Sequence, residues 1–188
     1  TSTTHKTLRG PRGAFIACRK DFADRIDRVV FPGLQGGPHN NVTAGIARMG
    51  FEALQPSFKK YQAQIVKNAQ ALAKALLAEG FALVTGGTDN HLMLIDCKGT
   101  GMTGMEAQNA LEAAGITANR NAIAGDQSPF YPTGIRLGTP AVTTRGMKER
   151  DMARIALWIA RVILKKEKPV NVGREVAQFA EKFPLYAN

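Results

Sequence analysis

Apolar residues along this chain fall into helical stripes and short alternating runs, and their spacing predicts most of its elements. After Pro56, the residues Phe58, Tyr61, Ile65, Ala69, Leu72 and Leu76 recur at intervals of three and four, the period of one helix face, and Gly80 supplies the stop. "VTAGIARMGFEAL" begins an earlier helical pattern, Met152, Ile155, Ile159 and Val162 mark another, and residues 172–183 a last one. "TGMEAQNALEAAG" predicts a helix capped by Thr103, with Glu106 three residues on completing a capping box. Strands are predicted over 81–85 and 91–96, either side of the turn "GGTDN", and in the short run "GIRLGT".

The remaining segments read differently. "TSTTHKTLRG" followed by "PRGAFIACRK" predicts a β-rich start, a turn at Gly10-Pro11 and a short apolar strand over 14–18. "FPGLQGGPHNN" reads as a loop because its prolines and glycines oppose regular structure, and "ITANRNAIAGDQSPFYPT" reads as a second long loop. From about residue 81 onward the order of elements describes a compact α+β domain. The first fifty residues have no room to close a sheet of their own, which leads to the expectation that further chain precedes Thr1.

With 188 residues, 44% of them hydrophobic, the chain is long enough for one sizeable core, or for one domain and a piece of another. No apolar run approaches the ~20 residues that span a bilayer, so no membrane partner is expected. Cys18 and Cys97 stand alone, and His5, His39 and His91 form no ligand pair, so neither a metal site nor a disulfide framework is expected, and a reducing, cytoplasmic setting fits best. The formal net charge of +10 raises the question of a nucleic-acid partner. The basic residues are scattered and no aromatic-rich RNA motif interleaves with them, so anionic small ligands or an acidic remainder of the protein account for the charge better.

Several residues could carry chemistry. Lys6 lies ahead of the Gly-Pro turn among small hydroxyl residues; like charge from Arg9 and Arg12, were they near its amine, would disfavour the ammonium form, and a neutral amine attacks aldehydes, although local physics alone favours an ordinary surface lysine. "GLQGGPH" offers consecutive unobstructed N–H groups suited to an anion, or is a plain tight loop. Arg136 has the planar fork that holds a carboxylate in two parallel bonds, or makes a surface salt bridge. "NRNAIAGDQSPF" places amides, Ser128 and Phe130 where a heteroaromatic ring could be bonded and stacked, or is a solvated loop. The helical stripes, Trp158 beside them, read as core.

"TTHKTLRGPRG", "FPGLQGGPHN", "GGTDNHLMLID", "NRNAI", "SPF", "GIRLGTPAVTTRG" and the closing "FPLY" together resemble the serine hydroxymethyltransferase family, in its order and spacing over nearly the whole chain. The resemblance implies an α/β pyridoxal phosphate (PLP) enzyme of fold type I, the aspartate aminotransferase type. Residues 1–55 would then end the large cofactor domain, 56–80 form a connecting helix, and 81–188 form the small α+β domain. It implies reversible transfer of the hydroxymethyl carbon of serine to tetrahydrofolate, giving glycine and methylene-tetrahydrofolate. On this resemblance Lys6 binds PLP covalently, Thr3 contacts that lysine and helps substrate replace it, and His5 and Arg12 shape the cofactor pocket. Gly36 and Gly37 match a pair that binds the cofactor phosphate of the neighbouring subunit in a homodimer with shared active sites. Arg136 matches the arginine that grips the carboxylate of serine or glycine, and Asn121, Ser128 and Phe130 fall in the loop that contacts the folate. Two positions depart from the family pattern, Asn41 for a histidine and Ser2 for a threonine, and both keep polarity.

The resemblance also implies that the ring-stacking histidine, the acid that pairs with the pyridine nitrogen and part of the phosphate cup lie upstream, so residues 1–188 alone are expected to be inactive. Another fold-type-I enzyme such as a threonine aldolase is the nearest alternative, and folate dependence discriminates. A basic nucleic-acid-binding module is a more distant one, and would show steep salt dependence indifferent to PLP.

Overall fold

The structure is a computed structural model that describes residues 1–185; Tyr186, the last residue of the closing motif "FPLY", lies outside the described residues. It divides into two compact units, Thr1–Lys60 and Tyr61–Asn188. The division falls one turn inside the helix after Pro56, whereas the sequence suggested boundaries before and after that helix.

In the first unit β1 (Ser2–Thr3) pairs antiparallel with β2 (Ala14–Phe15), placing Ser2 opposite Phe15 and Thr3 opposite Ala14. The apolar strand expected over 14–18 is paired only over Ala14–Phe15. α1 (Lys20–Arg28) follows, a charged helix that the sequence reading did not foresee. The segment expected to be a loop from Phe31 begins within an irregular helical turn, Val29–Leu34, broken by extended backbone at Phe31 and closed by the Gln35 N–H donating to the Val30 carbonyl at 2.8 Å. Only 35–39 is open loop before α2 (Asn40–Ala53). None of the described apolar side chains of residues 1–60 is buried, and Phe31, Leu34, Phe51 and Leu54 stand well exposed.

α3 (Pro56–Ala78) is the long helix of the sequence pattern, and Ile65, Ala69, Leu72 and Leu76 are its buried stripe. It ends in a Schellman arrangement: Gly80 takes φ +96, its N–H bonds the Leu77 carbonyl, and the Phe81 N–H bonds that of Leu76. The second unit holds an antiparallel sheet in the order β3-β4-β6-β5, formed by β3 (Ala82–Leu83), β4 (Leu92–Asp96), β5 (Asn119–Asn121) and β6 (Gly134–Gly138). β5 lies inside what reads as loop in the sequence; its polar residues carry no apolar alternation and become a strand by pairing with the edge of β6.

Along β4, and from Ile135 onward in β6, burial alternates. Met93, Ile95, Ile135 and Leu137 are buried against helices, while Arg136 faces the other way. α4 (Gly104–Ala113), the short α5 (Pro140–Thr144), α6 (Glu149–Ile163) and α7 (Pro169–Ala180) complete the unit. α4 has the expected capping box, Glu106 N–H to Thr103 Oγ1 at 3.2 Å and Thr103 N–H to Glu106 Oε2 at 2.8 Å. Leu111, Met152, Ile159 and Ile163 join α3 and the sheet in one core.

Candidate functional site

The segment from Thr4 to Gly13 is a wide loop closing the β1–β2 hairpin, and Thr4 organises it. This threonine is fully buried; its Oγ1 donates to the Pro11 carbonyl at 2.7 Å, its N–H to the Gly13 carbonyl at 3.0 Å, and its carbonyl accepts the Gly10 N–H at 2.8 Å. The loop lies directly on α2. A Cβ on Gly10 would sit 2.9 Å from Met49 Sδ and from the Thr4 oxygen, and one on Gly45 would sit 3.0 Å from Pro11 Cγ. At the far end the Arg9 N–H bonds the Lys6 carbonyl at 2.9 Å, with Arg9 at φ +62.

Lys6 is thereby held exposed at the turn, and among the described residues its ammonium has no ion pair. His5 beside it is half-buried, and its Nδ1 is a buried nitrogen without a hydrogen-bond partner among the described residues. Thr3 is half-buried on β1, and Arg12 is exposed on the returning limb of the loop. Thr3, His5, Lys6 and Arg12 therefore share one hairpin. Gly36 and Gly37 lie in the open loop before α2, with no atom within 4 Å of where a Cβ would stand and with Gly37 at φ +59, so their backbone can be approached closely.

The second group of candidates sits in the other unit. Arg136 is exposed on β6, flanked in register by Leu94 on β4 and Asn119 on β5. Asn121 ends β5 opposite Gly134 and is half-buried. The segment 122–133 then leads back to β6. In it the Phe130 N–H bonds Ser128 Oγ at 3.2 Å, while the rings of Phe130 and Tyr131 are 80% and 82% exposed. Arg136, Asn121, Ser128 and Phe130 thus belong to one strand pair and the loop that joins it.

Two residues that organise these sites escaped the sequence reading. One is Thr4, indistinguishable by sequence from its hydroxyl neighbours. The other is Asp126, whose side chain is only 2% exposed and accepts N–H bonds from Ile123 and Thr133, each at 3.0 Å, and a short bond from the Thr133 hydroxyl. Those bonds, the Thr133 hydroxyl foremost, hold its carboxyl down at about 2. The Lys98 ammonium lies 3.6 Å from the same carboxylate and 3.3 Å from the Ala124 carbonyl. Cys97 behaves oppositely: burial, reinforced by Asp96, pushes its thiol up to about 11, which removes it as a nucleophile.

The family described as serine hydroxymethyltransferase matches residues 1–159. A serine hydroxymethyltransferase of Methanospirillum hungatei is 52% identical over 190 residues, covering 99% of this chain and 46% of that protein. One of Sorangium cellulosum is 52% identical over 188 residues, covering 98% of this chain and 44% of that protein. The chain spans less than half the length of these curated relatives.

Proposed function

The chain belongs to the serine hydroxymethyltransferase family, and from that premise we propose that it supplies part of the active site of a PLP-dependent enzyme of fold type I, the aspartate aminotransferase type. The reaction is the reversible transfer of the serine hydroxymethyl carbon to tetrahydrofolate. In this reading residues 1–55 complete the cofactor domain, 56–80 connect, and 81–188 form the small domain.

The observation that carries the proposal is the locked loop around Thr4, which presents Lys6 exposed on the same hairpin as Thr3 and as a His5 ring nitrogen that lacks a partner among the described residues. An amine for the aldehyde, a polar nitrogen awaiting a partner and an open glycine pair suited to phosphate oxygens fit a phosphorylated pyridine aldehyde. When bound, that cofactor supplies an electron sink for the bond broken at Cα. Lys6 holds it, Thr3 on the same hairpin assists its exchange for substrate, and His5 and Arg12 shape the pocket. Gly36 and Gly37 serve the phosphate of a neighbouring subunit, which makes the working form a homodimer with shared sites.

Arg136 fixes the serine carboxylate in two parallel bonds, which sets the orientation of the Cα–Cβ bond before cleavage. Asn121, Ser128 and Phe130 receive the pterin and aminobenzoate of tetrahydrofolate. A reducing, cytoplasmic setting is part of the same reading. Because the family places the acid for the pyridine nitrogen elsewhere in the polypeptide, residues 1–188 by themselves are expected not to turn over.

The test uses the full-length enzyme. Borohydride reduction in the presence of PLP, followed by peptide mapping, is expected to label Lys6, and Lys6→Ala to abolish both the label and serine-to-glycine conversion. Conversion is expected to require tetrahydrofolate. A label elsewhere would remove Lys6 from its role, and cleavage indifferent to folate would favour an aldolase.

A further inference from the structure

The segment 122–133 joins two adjacent strands, yet little within it determines its shape. Its internal bonds are local: the Asp126 N–H to the Ile123 carbonyl at 3.1 Å, the Tyr131 N–H to the Ser128 carbonyl at 3.2 Å, and the Phe130–Ser128 bond. Its largest side chains, Phe130 and Tyr131, point into solvent and contribute no packing. The end of the segment is fastened to its surroundings by the Pro132 carbonyl, which accepts the Gly104 N–H at 3.0 Å, and by the Thr133 carbonyl, which accepts the Cys97 N–H at 2.9 Å. What ties its start to its end is the Asp126 carboxylate, which takes the N–H of Ile123 and both the N–H and the hydroxyl of Thr133. Lys98, just beyond β4, bonds the Ala124 carbonyl and faces the same carboxylate, which ties the segment to the sheet.

The Arg136 strand is secured by other means. β6 is paired along its length with β4 and on its other side with β5, and Ile135 and Leu137 are buried beneath it. Nothing in that arrangement passes through Asp126.

We propose that Asp126 is a positioning residue for the folate substrate: by knotting both ends of 122–133 it presents Ser128 and Phe130 in the geometry that receives the ring system, independently of the carboxylate-binding arginine. The inference rests on the reading of this loop as the tetrahydrofolate contact. A carboxylate is required because three donors converge on it. One carboxylate oxygen, Oδ2, takes both N–H groups, and the other, Oδ1, takes the hydroxyl and faces the Lys98 ammonium at 3.6 Å; an asparagine that keeps its oxygen on the two N–H groups turns its amide N–H toward that ammonium.

The experiment uses the full-length holoenzyme and the variants Asp126→Asn and Thr133→Val. KM for tetrahydrofolate, KM for serine and amide hydrogen exchange across 122–133 are measured together. Asp126→Asn is expected to raise KM for tetrahydrofolate about tenfold and leave KM for serine within about twofold, the split that separates loss of one substrate's contacts from general damage. Exchange is expected to quicken in 122–133 and stay unchanged in β4 and β6. Thr133→Val, which removes one of the three donors, is expected to move the same quantities less far, and it carries the test if Asp126→Asn fails to fold. An unchanged KM for tetrahydrofolate, or equal rises in both constants, overturns the proposal. A wild-type enzyme whose serine conversion ignores tetrahydrofolate overturns the reading of the loop itself, a result visible before any variant is made.

Discussion

A single methyl group at Gly10 is enough to test whether the Lys6 loop is built or merely tolerated. Its Cβ would lie 2.9 Å from the Thr4 carbonyl oxygen as well as from Met49 Sδ, and although a methionine can swing aside, the backbone oxygen cannot. Gly10→Ala is therefore expected to cost roughly 1–3 kcal/mol of stability, as overpacking does, and to slow borohydride trapping at Lys6; unchanged trapping would show that the loop need not be rigid. Arg136 poses a question of chemistry rather than space. Lysine keeps the charge but loses the planar fork, so in the full-length enzyme Arg136→Lys is expected to raise KM for serine on the order of tenfold to a hundredfold. Equal KM values would mean that the arginine acts only as a distant positive charge.

Between elements, part of the fastening in the second unit is polar. Asn68 on α3 is fully buried; its amide donates to Thr143 Oγ1 at 2.8 Å and to the Met147 carbonyl at 2.9 Å, and accepts from Gln64 at 2.9 Å. Thr139 Oγ1 reaches back to the Ile65 carbonyl at 2.8 Å, so α3 and the α5 turn that follows the Arg136 strand are bonded at two levels. Asn68→Ala strands those partners in the interior and is expected to cost about 1–3 kcal/mol, read as a lower urea midpoint at unchanged slope. None of this was legible in the sequence, where Asn68 is one polar residue inside an apolar stripe. What was legible is what depends on near neighbours: the α3 stripe, the Thr103–Glu106 box, the alternation in β4 and β6. α1 and β5 were missed because "KDFADRIDR" and "NRN" carry charge and amides where a periodic apolar signal would be sought. Lys6 and Arg136 could be proposed from the motifs around them, whereas Thr4 and Asp126 acquire meaning only once folding brings distant donors and acceptors together.

Over the whole molecule, acids are scarce, 15 against 25 basic residues, and several of the few are structural anchors. Asp126 is held near 2 by its bonds to Thr133 and Ile123, and Glu175 near 2 by Arg161 and the Trp158 N–H. Glu167, which shares Arg161, is lowered too, as is the capping-box Glu106 through its bonds to Thr103. Each of these carboxyls titrates lower in the folded chain than in the unfolded one, so its stabilisation is fully present above the ordinary values of 3.8 for Asp and 4.5 for Glu. It is lost as pH falls through that range toward about 2. Protonation also raises a net charge that already stands at +10, and self-repulsion then adds to the loss. The urea midpoint is expected to stay level from about pH 7 to about pH 5 and to fall steadily below about pH 4.5. Added salt should recover only the part due to repulsion, since it screens distant charges and leaves bonded pairs largely untouched. Glu175→Gln should flatten the fall, because it frees one anchor from titration while leaving Arg161 bonded to Glu167 at 2.8 Å. A midpoint that holds level down to about pH 3 would mean that these carboxylates are bonded as well in the unfolded chain as in the folded one, and that the anchors do not stabilise the fold.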